Sequence, residues 1–152
     1  MGLLYGEYTC RVDDKGRFQM PTALYQQLAD DHRSAFVVAR GLDPCLVLYP
    51  APIWEAELQR IYTRSQYHEA NRTFARLFQS GAAPVALDGQ QRINLPKALQ
   101  QEAGIVKELV LIGALDRIEC WAAERYRSWL DESLRRLPAL AEAVMQPEGP
   151  AA

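Results

Sequence analysis

Two stretches of the chain set an aspartate and an arginine four residues apart: "RVDDKGRFQMP" at residues 11–21 and "ALDGQQRINLP" at 86–96. Asp13, Arg17 and Pro21 in the first recur as Asp88, Arg92 and Pro96 in the second, each 75 residues on. Acid–base catalysis is a poor use for such a pair. An aspartate opening a turn accepts N–H bonds from that turn, and an arginine at its far end pairs with it across the strands. One reading is therefore a turn staple made twice. The other reading faces outward. The planar fork of arginine suits two-point contact with a guanine edge, and a two-stranded ribbon fits the major groove. An aspartate that holds the arginine lowers the entropy cost of binding. A staple alone explains neither the choice of Arg over Lys nor Lys15 and Gly16 at the first tip.

Little else in the chain could do chemistry. There are two histidines, His32 and His68, and no second histidine follows His68-Glu69 at zinc-protease spacing. No Gly-rich phosphate loop, nucleophile elbow or paired-cysteine metal motif is present. The expectation is a protein that is not an enzyme and takes no metal, cofactor or small-molecule substrate. Cys10, Cys45 and Cys120 are odd in number and form no CxxC pair, which reads as small buried free thiols in a reducing cytoplasm. No apolar run approaches the roughly 20 residues that span a bilayer, and "MGLLYGEYTC" lacks the basic start and apolar stretch of a secretory signal. A soluble cytoplasmic protein is expected.

The elements around the two Asp–Arg pairs repeat as well. A strand enters each turn (8–12, 84–87), and a short alternating strand leaves it, with Phe18 and Met20 in the first copy and Ile93 and Leu95 in the second. Each pair of strands reads as a tight hairpin. Pro21 and Pro96 suit a helix start, giving helices over 22–29 and 97–103, the latter stopped by Gly104. Two apolar strands and a second helix close each copy. Those helices carry apolar stripes through Trp54, Leu58 and Ile61, and through Tyr126, Leu130, Leu134 and Leu137. The grammar is ββαββα twice: an α+β, mainly β fold. One copy of about 55–60 residues is marginal alone, so the two are expected to share a core. The divisions are 1–62, a linking helix 63–81, 82–137, and a Pro/Gly/Ala-rich tail 138–152 expected to be disordered. On the linking helix Tyr67, Ala70, Phe74 and Leu77 form the apolar stripe. Arg64, His68, Arg72 and Arg76 share the other side, as a solvated face or as a basic ridge near phosphates.

Net charge is −2 and the pI about 5.7, which opposes a nucleic-acid partner. Residues 1–80 hold 9 basic and 9 acidic side chains, and 81–152 hold 8 and 10. DNA binding then requires cations gathered on one face, or a weak patch multiplied by oligomerisation.

The segments "GEYTCRVDDKGRFQMP", "GLDPCLVLYPAPIW", "FARLFQSGA", "LDGQQRINLP" and "LVLIGALDRIECW" together resemble the MraZ family, bacterial regulators encoded at the head of the division and cell-wall gene cluster. The resemblance runs from about Leu4 to Leu130. It implies an AbrB-like swapped-hairpin β-barrel with flanking helices, two copies fused in one chain. It further implies a closed homo-oligomeric ring of about eight subunits. The implied partner is double-stranded DNA, as short G-rich direct repeats upstream of the protein's own operon, with repression as the outcome and a nucleoid-associated location. Carried over by motif, Asp13, Lys15, Gly16 and Arg17 bind DNA in the first copy, and Asp88 and Arg92 in the second. Arg11 is an added cation placed to meet a phosphate. Gln91 stands where family members have Gly, and no lysine lies in the second turn, so the first hairpin is expected to carry more of the contact. The alternative from another class is an AbrB-like, antitoxin-like protein-interaction module whose hairpins are structural.

Overall fold

The computed structural model describes residues 3–147. The first copy contains β1 (Glu7–Arg11), β2 (Arg17–Gln19), α1 (Thr22–Gln27), β3 (Phe36–Arg40), β4 (Leu46–Pro50) and α2 (Ala51–Tyr62). α3 (Glu69–Ser80) follows. The second copy contains β5 (Ala83–Val85), β6 (Arg92–Asn94), α4 (Lys97–Glu102), β7 (Glu108–Ala114), β8 (Arg117–Ala122) and α5 (Ala123–Met145). The ββαββα order is thus present twice, in an α+β fold built on antiparallel strands.

The pairing of those strands is less local than the sequence suggests. Each Asp–Arg turn closes, but its two strands then part. β1 pairs with β7 of the other copy, β5 pairs with β3, and β2 pairs with β6. The result is an open six-stranded sheet, β1-β7-β8-β4-β3-β5, and a separate β2-β6 ribbon rather than a ring of strands closed by hydrogen bonds. The expected two-stranded hairpin survives only as a turn. The reason lies in burial. Phe18 and Ile93 sit opposite each other with 1% and 0% exposure, so the apolar faces of β2 and β6 seal against each other and into the core. That core is shared, as a copy too small to stand alone requires: Phe18, Leu24 and Leu48 pack in one cluster with Ile93, Leu99 and Leu111. Arg40 adds a polar tie between copies, with both its Nε and Nη2 on the Glu102 carboxylate at 2.8 and 2.9 Å.

Three expectations need correction. The linking helix starts only at Glu69, so Arg64 lies off it and His68 caps it. Its buried residues are Ala75 and Phe78, with Phe78 stacked on Trp54 at 4.7 Å, whereas Tyr67 is 96% exposed. The buried face thus lies one residue on from the expected stripe, with Ala75 and Phe78 in place of Phe74 and Leu77. The tail from 138 is not loose throughout: α5 passes through Pro138 and ends at Met145, while 148–152 lie outside the described residues. On α5, Tyr126 is buried and Leu130 half-buried, but Leu134 and Leu137 are exposed. The helix outruns the sheet it packs on. Among the described residues, no helix is long and apolar enough to cross a membrane.

Candidate nucleic-acid interface

Each turn is a three-residue loop between an Asp and an Arg. In the first, the Asp13 N–H donates to the Arg17 carbonyl at 2.9 Å, and the Gly16 N–H donates back to the Asp13 carbonyl at 3.0 Å. The second repeats this with Asp88 to Arg92 at 3.0 Å and Gln91 to Asp88 at 2.9 Å. Such a loop ends on a residue in the left-handed region, where glycine is favoured. Gly16 fills that place at φ +81° and Gln91 fills it at φ +58°. The second turn therefore keeps the fold of the first although it lacks the glycine. Its own glycine, Gly89, sits two positions early, where a Cβ would meet nothing within 4 Å.

The aspartates do the same work in both turns. Asp13 Oδ1 accepts the backbone N–H groups of Lys15 and Arg17, each at 2.9 Å, and Oδ2 accepts Arg17 Nε at 2.8 Å. Asp88 Oδ1 accepts Gln90 and Arg92 N–H at 2.8 and 2.9 Å, and Oδ2 accepts Arg92 Nε at 2.8 Å. The backbone N–H of Arg17, before any other group, holds the Asp13 carboxyl below the usual carboxylate range; that of Arg92 does so for Asp88. A lowered pKa means that the brace is intact at neutral pH and is lost only as the pH falls through that lowered value.

Only Nε of each guanidinium is used by its aspartate. The four N–H donors on the two Nη atoms have no partner among the described residues and stay available. The ribbon aims them. Along β2 and β6, Phe18 and Ile93 face the core, so Arg17, Gln19, Arg92 and Asn94 share the outer face. Arg17 lies opposite Asn94 and Arg92 opposite Gln19. The two braced arginines are thus diagonal neighbours, a separation of roughly 7–8 Å between residues. Their side chains are 28% and 27% exposed, so neither is sealed in the core. Lys15 is exposed at the first tip and Arg11 at the end of β1.

The other basic residues fare differently. Arg72 donates through Nη1 to the carbonyls of Gln66 and Tyr67, which ties it to the loop before α3. Arg72 and Arg76 lie four apart on α3, but Arg64 lies before it, so the three form no continuous ridge. Sequence reading passed over Gln19. Its Nε2 crosses to the other copy and donates to the Gln90 carbonyl at 2.8 Å, clasping the second turn. Only the β2–β6 register reveals that reach.

Among the described residues, no group of three or more His, Cys, Asp or Glu could hold a metal. Burial pushes the Cys10 thiol up to about 11 and Cys45 up to about 12, so neither is a nucleophile at neutral pH.

Comparison with known proteins gives a consistent picture. Residues 3–77 and 78–144 each match the family described as "MraZ protein, putative antitoxin-like". A protein of Christiangramia forsetii named "Transcriptional regulator MraZ" is 38% identical over 143 residues, covering 93% of this chain and 92% of that protein. Proteins of the same name from Limosilactobacillus fermentum and Symbiobacterium thermophilum are each 38% identical over 139 residues. These cover 91% of this chain and 94% and 98% of theirs.

Proposed function

The chain belongs to the MraZ family, and on that premise we propose that it is a transcriptional regulator that binds duplex DNA sequence-specifically through its two Asp–Arg turns. Its targets are G-rich direct repeats upstream of its own operon in the division and cell-wall gene cluster, and its effect there is repression. One observation carries this reading. Two guanidinium groups, each held at Nε by its own aspartate, turn their free Nη ends outward from one face of a two-stranded ribbon. Such a fork matches guanine O6 and N7, and pre-organising it reduces the entropy lost on docking.

The strands exchanged between the copies support placing the fold with AbrB-like swapped-hairpin barrels. An acidic chain, at net charge −2, binds a polyanion by repetition. In a closed homo-oligomeric ring of about eight subunits, weak patches engage several repeats together. The working location is the nucleoid.

The test is a fluorescence-anisotropy titration of the full chain on the duplex upstream of its gene and on an unrelated duplex, across a range of salt. The expected result is preference for the upstream duplex and a steep linear fall of log K with log salt. Equal affinity for both duplexes, or a slope near zero, overturns the proposal and favours a protein partner.

A further inference from the structure

The first turn has neighbours that the second lacks. The Val12 N–H donates to the Lys107 carbonyl at 2.8 Å, and Arg11 lies opposite Glu108 in the β1–β7 ladder. Lys107, from the second copy, is thereby held opposite Val12, the residue before Asp13. Among the described residues, the side chains of Arg11, Lys15 and Lys107 make no ion pair or hydrogen bond, and all three are exposed. Glu108, the acid next to Lys107, is within 3.8 Å of Arg127.

The same places around the second turn can be read from the register. β5 pairs Val85 with Phe36, where that ladder ends; extended by two residues in the same register it would set Ala86 against Ala35 and Leu87 against Ser34. Arg11, Lys15 and Lys107 are therefore replaced at the second turn by Ala86, Gln90 and Ser34. The first turn thus has the exposed Lys15 and Lys107 near it, with Asp14 at the same tip and Arg11 facing Glu108 on the other side of its strand, where the second turn has uncharged residues.

We propose that Lys107 is a phosphate-contacting residue of the first turn, lent by the opposite copy, and that with Lys15 it forms a cationic rim that seats the DNA backbone beside Arg17. The inference rests on the DNA-binding reading above and adds a division of labour to it. Contacts to phosphodiester oxygens fix register and supply salt-dependent affinity, while the braced arginine meets a base edge. Exchange of strands between copies makes the rim possible, because β1 must lie along β7 for Lys107 to reach this turn.

The experiment is a salt titration of the full chain carrying Lys107→Gln on the upstream duplex and on an unrelated one. The slope of log K against log salt is expected to become shallower by about 0.9 for each first turn engaged. The loss should be similar on both duplexes, since a phosphate contact carries no sequence information. Arg136→Gln, on the exposed far part of α5, should leave the slope unchanged. Ser34→Lys should steepen it by about 0.9 for each second turn engaged. If the unaltered protein binds and Lys107→Gln leaves its slope unchanged, the inference is overturned. If the unaltered protein does not bind at all, the DNA-binding reading itself fails, which is a distinguishable result.

Discussion

Gly16 and Gln91 occupy the same left-handed corner of two matched turns, yet only glycine reaches that conformation without steric cost. The comparison extends outward from there. The first turn has a glycine where the backbone needs one and free cations on its flanks. The second bears a strained glutamine and uncharged flanks, and it is clasped by Gln19 from the opposite ribbon strand. What does not vary is the brace: the Asp–Arg geometry agrees within about 0.1 Å between copies. The presentation of arginine is thus separable from the composition of the tip. One copy can drift in charge and backbone comfort while still aiming its guanidinium outward.

The largest expected effect tests whether that drift matters for function. Arg17→Ala removes a base-reading fork from the turn with the cationic rim, and should cost about 1–3 kcal/mol in binding to the upstream duplex. That is roughly 5- to 150-fold in Kd. Arg92→Ala removes the same fork from a turn with no rim and should cost less than half as much in free energy. Equal losses by anisotropy would show that rim and tip are irrelevant, and would return the two turns to equivalence.

Much of this contrast was legible in the sequence because it is local. The Asp–Arg spacing, the proline-led helices, the Gly104 stop at φ +69° and the alternation of Phe18 and Met20 each depend on a few neighbouring residues. The partners of β1, β2 and β5 were not legible. A strand with one apolar face specifies its depth in a core but not which strand it lies beside, and here the partner sits in the other copy. Lys107 opposite Val12 and Gln19 beside Gln90 are consequences of that pairing and are hidden with it. Helix ends also escaped. Nothing around Thr63 marks a start at Glu69, and Pro138, a usual breaker, is tolerated inside α5. Gln91 stands where glycine is expected, but a sequence does not say whether such a turn changes or strains; at φ +58° it strains.

That strain makes opposite predictions at matched positions. Gly16→Ala puts a side chain at φ +81° with its Cβ 2.7 Å from Gln100 Oε1 and 3.2 Å from the Leu95 carbonyl, and should destabilise by about 1–2 kcal/mol. Gln91→Gly releases the same conformation and should stabilise by up to about 1 kcal/mol. In a chain of this size each kcal/mol moves Tm by roughly 2–4 °C, so calorimetry should show the two variants shifting in opposite directions. A fall in Tm for Gln91→Gly would mean that its side chain contributes more than its backbone costs, and the second turn would no longer count as the strained member of the pair.

The smallest effect addresses what holds the second tip. Gln19 and Asn94 are equivalent residues on the two ribbon strands, differing by one methylene. Gln19 Nε2 reaches the Gln90 carbonyl at 2.8 Å and approaches that of Gln91 at 3.4 Å, whereas the Asn94 side chain makes no hydrogen bond among the described residues. An exposed bond of this kind is worth about 0.5–1 kcal/mol. Gln19→Ala should therefore speed amide exchange at Gln90 and Gln91 by roughly two- to fivefold, the factor that such an energy sets, and leave the Lys15 and Gly16 amides as they were. Asn94→Ala should change neither turn, because no hydrogen bond is lost. If Asn94→Ala instead loosened the first tip to the same degree, the two turns would be held alike. The difference between them would then reduce to the rim of charge and the single left-handed residue.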